Sequence, residues 1–234
     1  YPLKLQDLIV LDVNPDLAPE KIVWATSDPN RKIPSFGMSG DCIYNPMWVS
    51  NQFNEYQDRA MFVDPSGRGR DETGICIASF SNGYIFVHEL LGLEGGYERS
   101  VLQKISKLAY EYDVNHVRIE SNYGDAMFNS LLRPVITEIC GQVAIQEYRV
   151  TGQKERRMLA ALEPTMAQHR LVFDQKRREQ AHLDTIEEWK SDRRVEGMFS
   201  SRLSGALRHN DEIYQRNQPK RVGKSGRMQW GRRV

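Results

Sequence analysis

Cysteine is scarce in this chain: three in 234 residues, at positions 42, 76 and 140. An odd number spread this widely builds neither a disulfide framework nor the paired spacing of a zinc ribbon. The five histidines are scattered, and none stands at zinc-ligand spacing from a cysteine. No apolar run approaches the roughly eighteen residues of a membrane-spanning helix, and the first residues lack the basic, apolar and small-residue order of a secretory leader. A soluble, intracellular protein in a reducing compartment is expected. An initiator methionine is also missing, and Tyr1 in its place suggests a piece of something longer. No internal repeat is present.

With 40% hydrophobic content the chain can bury one sizeable core. Its net charge of +1 conceals an asymmetry. Residues 1–150 carry 13 basic and 20 acidic side chains (−7), while residues 151–234 carry 19 and 11 (+8). The basic end, "PKRVGKSGRMQWGRRV", has the composition either of a polyanion-tracking segment or of a plain solvated tail. The "GKS" at 223–225 does not make a phosphate-binding loop, because residue 218 is Gln where that motif needs Gly and no apolar strand precedes it. "GRGRDE" at 67–72 fails as a dinucleotide fingerprint, since Glu72 takes the place of the last glycine.

Hydrophobic periodicity places three strands at 60–64, 74–80 and 84–93, with "SNG" at 81–83 as the tight turn of an antiparallel meander. Val101, Leu102, Ile105, Leu108, Ala109 and Tyr112 follow at helical spacing, with Ser100 as the expected N-cap. "HVRIE" at 116–120 reads as a short buried strand. The helical pattern returns from Met127 to Ile139, where Pro134 is expected to kink or restart the helix. A strand at 143–150, a helix over 153–168 and an extended "LVFD" at 171–174 complete the regular part. This order predicts an α/β fold, a mixed sheet flanked by helices with a ribonuclease H-like layout. The expected division is a linker or N-terminal extension at 1–58, one main domain at 59–216 and a basic tail at 217–234.

Two stretches share one grammar. "MFVDPSG" and "VRIESNYGD" each run from an apolar strand into an acid and then into small turn residues, so Asp64 and Glu120 stand at strand ends. Each acid alone reads as a turn former or cap. On parallel neighbouring strands, however, the two carboxylates converge at one sheet edge, where a shared proton or a bound cation is needed. Hard oxygen donors suit Mg²⁺ or Mn²⁺, and two such ions can activate water against a phosphodiester.

The stretches "DPSGRGRDETG", "GLEGGY", "IESNYGDAMF" and "VTGQKERRMLAALEPTMAQHRLVFD" closely resemble the nuclease domain of the large terminase subunit of short-tailed double-stranded DNA phages. The likeness runs from about residue 1 to about residue 174. It implies a ribonuclease H-like endonuclease that cuts concatemeric DNA during genome packaging in the host cell cytoplasm. It also implies an ATPase motor domain in the same full-length protein, a portal and a small terminase subunit as partners, and no membrane.

By that resemblance Asp64 and Glu120 are catalytic, metal-holding acids, and Asp125 is a further metal-ligand candidate whose alternative role is an N-cap. The family's third acid lies in a His-Asp-Asp-Arg stretch. Here "GALRHNDEIYQ" matches at His209 and Asp211, but Asn210 replaces the first acid of the pair and Tyr214 a later one. An amide ligates without bringing negative charge. Asp184 is the fallback. Lys154, Arg156 and Arg157 are candidates for DNA-backbone contacts or, alternatively, an ordinary helix-surface cluster. Asp71 and Glu72 belong to a solvated turn or support the first acid. Two other readings remain open: a resolvase- or transposase-type nuclease, and a DNA-gripping or motor-docking module on the same fold.

Overall fold

The meander forms where the alternating apolar pattern places it. In the computed structural model, which describes residues 7–24, 29–34, 42–66, 72–121, 126–149 and 154–175, strands β8 (Asp58–Asp64), β9 (Thr73–Ser81) and β10 (Tyr84–Leu93) pair antiparallel in sequence. Their tight turn places Asn82 and Gly83 at φ 51° and 78°, the left-handed pair that a two-residue hairpin requires. Helix α1 (Arg99–Glu111), strand β11 (His116–Glu120), helix α2 (Ala126–Cys140), strand β12 (Ala144–Tyr148), helix α3 (Lys154–Ala167) and strand β13 (Leu171–Asp174) follow. The regular elements after residue 58 thus match the expected order within a few residues.

Two local expectations change. The N-cap of α1 is Glu98, not Ser100, which lies in the first turn with its hydroxyl donating to Glu98 Oε2 at 3.3 Å. Pro134, expected to kink or restart the helix, does not restart it: α2 runs through Pro134 to Cys140. The residue lies on the exposed side, where water can satisfy the carbonyl that its missing N–H leaves unpaired.

The stretch expected as an extension contributes to the sheet. Strands β1 (Ile9–Leu11), β4 (Lys32–Pro34) and β5 (Cys42–Tyr44) lengthen it to nine strands in the order β12-β11-β8-β9-β10-β13-β1-β5-β4. Strand β13 fits between β10 and β1, parallel to both. Two- and three-residue pieces, β2 (Leu17–Pro19) with β7 (Phe53–Glu55) and β3 (Ile22–Val23) with β6 (Trp48–Val49), form antiparallel pairs beside it. Of the nine sheet strands, only β9 and β4 run against the rest.

Alternation along β8 sorts the core into two faces. Met61 and Val63 join Ile75, Ile77, Val117, Ile119 and the inner sides of α1 and α2. Ala60 and Phe62 join Phe80, Ile85 and Leu171 on the opposite face, closed by Leu162 and Met166 of α3. Ile9, Val13, Ala18 and Ile22 cover Phe86 and Val172. Each of the large apolar side chains contributes about 1.5–3 kcal/mol by leaving water.

A polar node joins the N-terminal segment to this core. The Arg59 guanidinium donates to the carbonyls of Asp16 (3.1 Å) and Tyr112 (3.3 Å) and lies 5.5 Å from the Tyr56 ring centroid. Tyr56 OH donates to the Asn14 carbonyl at 2.8 Å. Beside it, a register shift between Val87 and Glu89 turns His88 into the interior, where its Nε2 meets Ser79 Oγ at 2.8 Å. Burial foremost, and then the neighbouring Arg59 charge, lower the His88 pKa to about 4.

Candidate metal and nucleic-acid edge

Strands β8 and β11 are parallel neighbours, with Arg118 beside Phe62 and Ile119 beside Val63. The next step along both strands brings Glu120 level with Asp64, across a strand spacing of about 4.8 Å. Because Val63 and Ile119 enter the helix-covered core, Asp64 and Glu120 share the other face of the sheet. Glu120 is 7% exposed and Asp64 half-buried. The parallel pairing that the repeated strand-acid-turn grammar required is therefore present.

The second flank of Asp64 is made by glycines. On its other side Asp64 pairs with Gly74, and Gly74 pairs in turn with Gly92 of β10, so neither cross-strand neighbour brings a side chain toward the acid. Ser66 N–H donates to Thr73 Oγ1 at 3.2 Å, pinning the base of the turn just beyond Asp64. On the far side of Glu120 stands Tyr148, whose carbonyl accepts from Ser121 N–H at 2.9 Å.

Two carboxylates at one level of adjacent strands offer the hard oxygen donors that a divalent cation takes. Among the described residues, no group of three or more His, Cys, Asp and Glu that could hold a metal ion gathers. Asp125, Asp71, Asp184, His209, Asn210 and Asp211 lie outside the described residues. Lys154, Arg156 and Arg157 fall in the first turn of α3. That helix follows β12, whose C-terminal end lies at the same sheet edge as Glu120. Glu72 is half-buried at the start of β9.

Arg118 escaped the sequence reading. It precedes Glu120 by two positions on a strand, so the period of two already places both on one face. Its guanidinium NH2 donates to Gln146 Oε1 on β12 at 3.4 Å.

The family described as "Terminase Bacteriophage T7, Ribonuclease H-like domain" matches residues 63–171, from the strand of Asp64 to the first residue of β13. The terminase large subunit of Enterobacteria phage T3 is 36% identical over 220 residues, covering 91% of this chain and 37% of that protein. The chain thus spans about a third of the length of that relative. Among solved structures, the human cytomegalovirus terminase nuclease domain is similar at 13% identity, over 68% of this chain and 87% of that one, with a TM-score of 0.48. The nuclease domain of the large terminase subunit gp2 of bacterial virus Sf6 is similar at 12% identity, over 52% and 65%, with a TM-score of 0.39.

Proposed function

We propose that the chain carries a terminase ribonuclease H-like nuclease domain, as the family match over residues 63–171 and the 36% identity to the phage T3 terminase large subunit support, and that it is a divalent-metal-dependent endonuclease cutting concatemeric double-stranded DNA during genome packaging. The observation that supports this reading is the placement of Asp64 and Glu120 at one level of two parallel strands, on one face and at one edge. Mg²⁺ or Mn²⁺, two ions by the family's chemistry, would supply there the positive charge that a phosphodiester needs on its attacking and leaving oxygens.

The chain's own residues set the conditions for that chemistry. Asp64 stands between Glu120 on one side and the glycine pair on the other, and we assign it the central ligand position. Glu120, more deeply buried, fixes the second ligand position from a rigid strand. Asp211 is proposed as the third acid, with Asp125 and His209 as further ligands. Lys154, Arg156 and Arg157 at the start of α3 are proposed to hold the flanking phosphates, which gives affinity without base readout. Double-stranded DNA, the motor domain of the full-length protein, the portal and the small terminase subunit are the proposed partners, in the host cytoplasm.

Nicking and linearisation of supercoiled plasmid in Mg²⁺ or Mn²⁺ tests the reading, comparing the 234-residue chain with Asp64→Asn and Asn210→Asp. The expected result is cutting by the unaltered chain that disappears in Asp64→Asn. DNA binding without cutting by any version would favour a gripping module instead. Cutting by Asn210→Asp alone would mean a nuclease fold disarmed at its third acid.

A further inference from the structure

Asp64 stands on a weak rung of the sheet. It is the last residue of β8 in register with β9, where its partner is Gly74, and the paired register with β11 ends one residue earlier, at Val63. A glycine partner offers no side chain to pack and loses more conformational freedom than any other residue on joining a strand. Just beyond this rung a polar pair is buried: Ser66 is 5% exposed and Thr73 0%. Ser66 N–H donates to Thr73 Oγ1 at 3.2 Å, and the two hydroxyl oxygens are also 3.2 Å apart. By alternation along β9, Thr73 shares the face of Ile75 and Ile77, toward the helix-covered core, whereas Asp64 is on the opposite face. Hydroxyls are costly to bury in such a layer unless they are paired, and these two pair with each other.

We infer that the Ser66–Thr73 pair is a clamp that keeps the Asp64 carboxylate level with Glu120, which makes Thr73 a positioning residue for divalent-metal binding at this edge. The clamp joins Ser66, two residues past the acid, to Thr73, one residue before the acid's partner Gly74, and so closes the chain on itself directly after the last rung. Asp64 then cannot fray away from β9 without breaking a buried bond, and a buried N–H left without its acceptor is costly. Two carboxylates hold one cation well only when their separation is fixed beforehand, since any ordering left to the moment of binding is subtracted from affinity. With no exposed surface, Thr73 touches neither ion nor substrate and acts through the backbone of Asp64. Groups that orient a ligand in this way typically change metal affinity about ten- to a hundredfold when they are removed. That the ion serves a nuclease rests on the proposed function above; the clamp and the acid that it holds do not.

The test is calorimetric titration of the 234-residue chain with Mn²⁺, without DNA, alongside Thr73→Val, Thr73→Ser and Asp64→Asn. Binding that disappears in Asp64→Asn marks the site. Thr73→Val keeps the shape of the side chain and removes the acceptor, whereas Thr73→Ser keeps the acceptor. The dissociation constant of the marked site is expected to rise about tenfold or more in Thr73→Val and to return most of the way to that of the unaltered chain in Thr73→Ser. Urea unfolding midpoints confirm that each variant is folded; if Thr73→Val is not, Thr73→Ala, which loses the same acceptor and adds no bulk, takes its place. Unchanged affinity in the variant without the acceptor would overturn the inference. So would an equal loss in Thr73→Ser, because packing and not the hydroxyl would then be responsible, and so would an unaltered chain with no Asp64-dependent Mn²⁺ site. Plasmid cutting by the same proteins separates this inference from the nuclease reading. A chain that cuts in Mn²⁺ with a Thr73-independent affinity refutes the clamp and leaves the nuclease standing. One that binds Mn²⁺ in a Thr73-dependent way yet cuts nothing does the reverse.

Discussion

Acidification should loosen this fold through one side chain, His88. In the folded chain its imidazole is 4% exposed, in contact with Ser79, with the rings of Tyr56 and Tyr112 at centroid distances of 5.6 Å and 5.7 Å. The charged groups around it are Arg59 on β8 and Glu89 on its own strand, the latter taking a hydrogen bond from Tyr112 OH at 2.7 Å. Burial, reinforced by Arg59, lowers the pKa from 6.5 to about 4. The folded value lies below the unfolded one, so between these pH values the unfolded chain holds a proton that the folded chain refuses. Stability is therefore complete above the unfolded pKa and is lost as pH falls toward the folded one. At 1.36 kcal/mol per pH unit the loss is about 2 kcal/mol by pH 5 and on the order of 3 kcal/mol by pH 4. Carboxylates also titrate in this range, so the informative quantity is a double difference: urea stability at pH 7.5 minus pH 5, in the unaltered chain and in His88→Gln. Glutamine keeps a polar group near Ser79 and carries no proton to gain. The expected pH dependence in His88→Gln is smaller by about 2 kcal/mol, or about 1 M in urea midpoint for a slope near 2 kcal/mol/M. Equal pH dependence in the two chains would refute the account of His88 as a neutral buried group.

Arg59→Met removes a guanidinium whose side chain is 16% exposed, whereas its partners Asp16 and Asp113 are 78% and 86% exposed. Those ion pairs contribute little. Loss of the bonds to the Asp16 and Tyr112 carbonyls should still cost about 2–3 kcal/mol by urea unfolding. Limited proteolysis should then release the segment around residues 12–16 first. Gly74→Val places a branched side chain over Asp64; metal-dependent plasmid cutting should fall at least tenfold, with a stability cost of about 1–3 kcal/mol from overpacking. Retained cutting there would mean that the glycine pair has no part in admitting the substrate.

The legible part of this fold is the part governed by local pattern. The meander, the two helices over the sheet and "HVRIE" were readable because each element is long enough to show its period. The partnership of Asp64 with Glu120 was readable because the same strand-acid-turn order occurs twice. Strands of two or three residues such as β1, β3 and β6 carry no period, and their place is set by partners far along the chain. The bulge that buries His88 left no sequence mark beyond a histidine in an apolar run. Arg118 was readable in principle, since alternation alone puts it on the face of Glu120.

The lodging of β13 between β10 and β1 has a consequence for synthesis. Ile9 has Val172 as its partner, so the N-terminal strand meets its inner neighbour only after more than 160 further residues have been made. While the chain is still on the ribosome, β8 to β12 can already pair in sequence order, but the β1–β5–β4 portion has no seam to join. Closing so long a loop comes late, because its entropic cost precedes any contact that repays it. A nascent chain halted before residue 171 would hold two unjoined pieces of sheet with open edges, a species prone to aggregate. The four residues Leu171–Asp174 then act as the zip that turns two half-sheets into one.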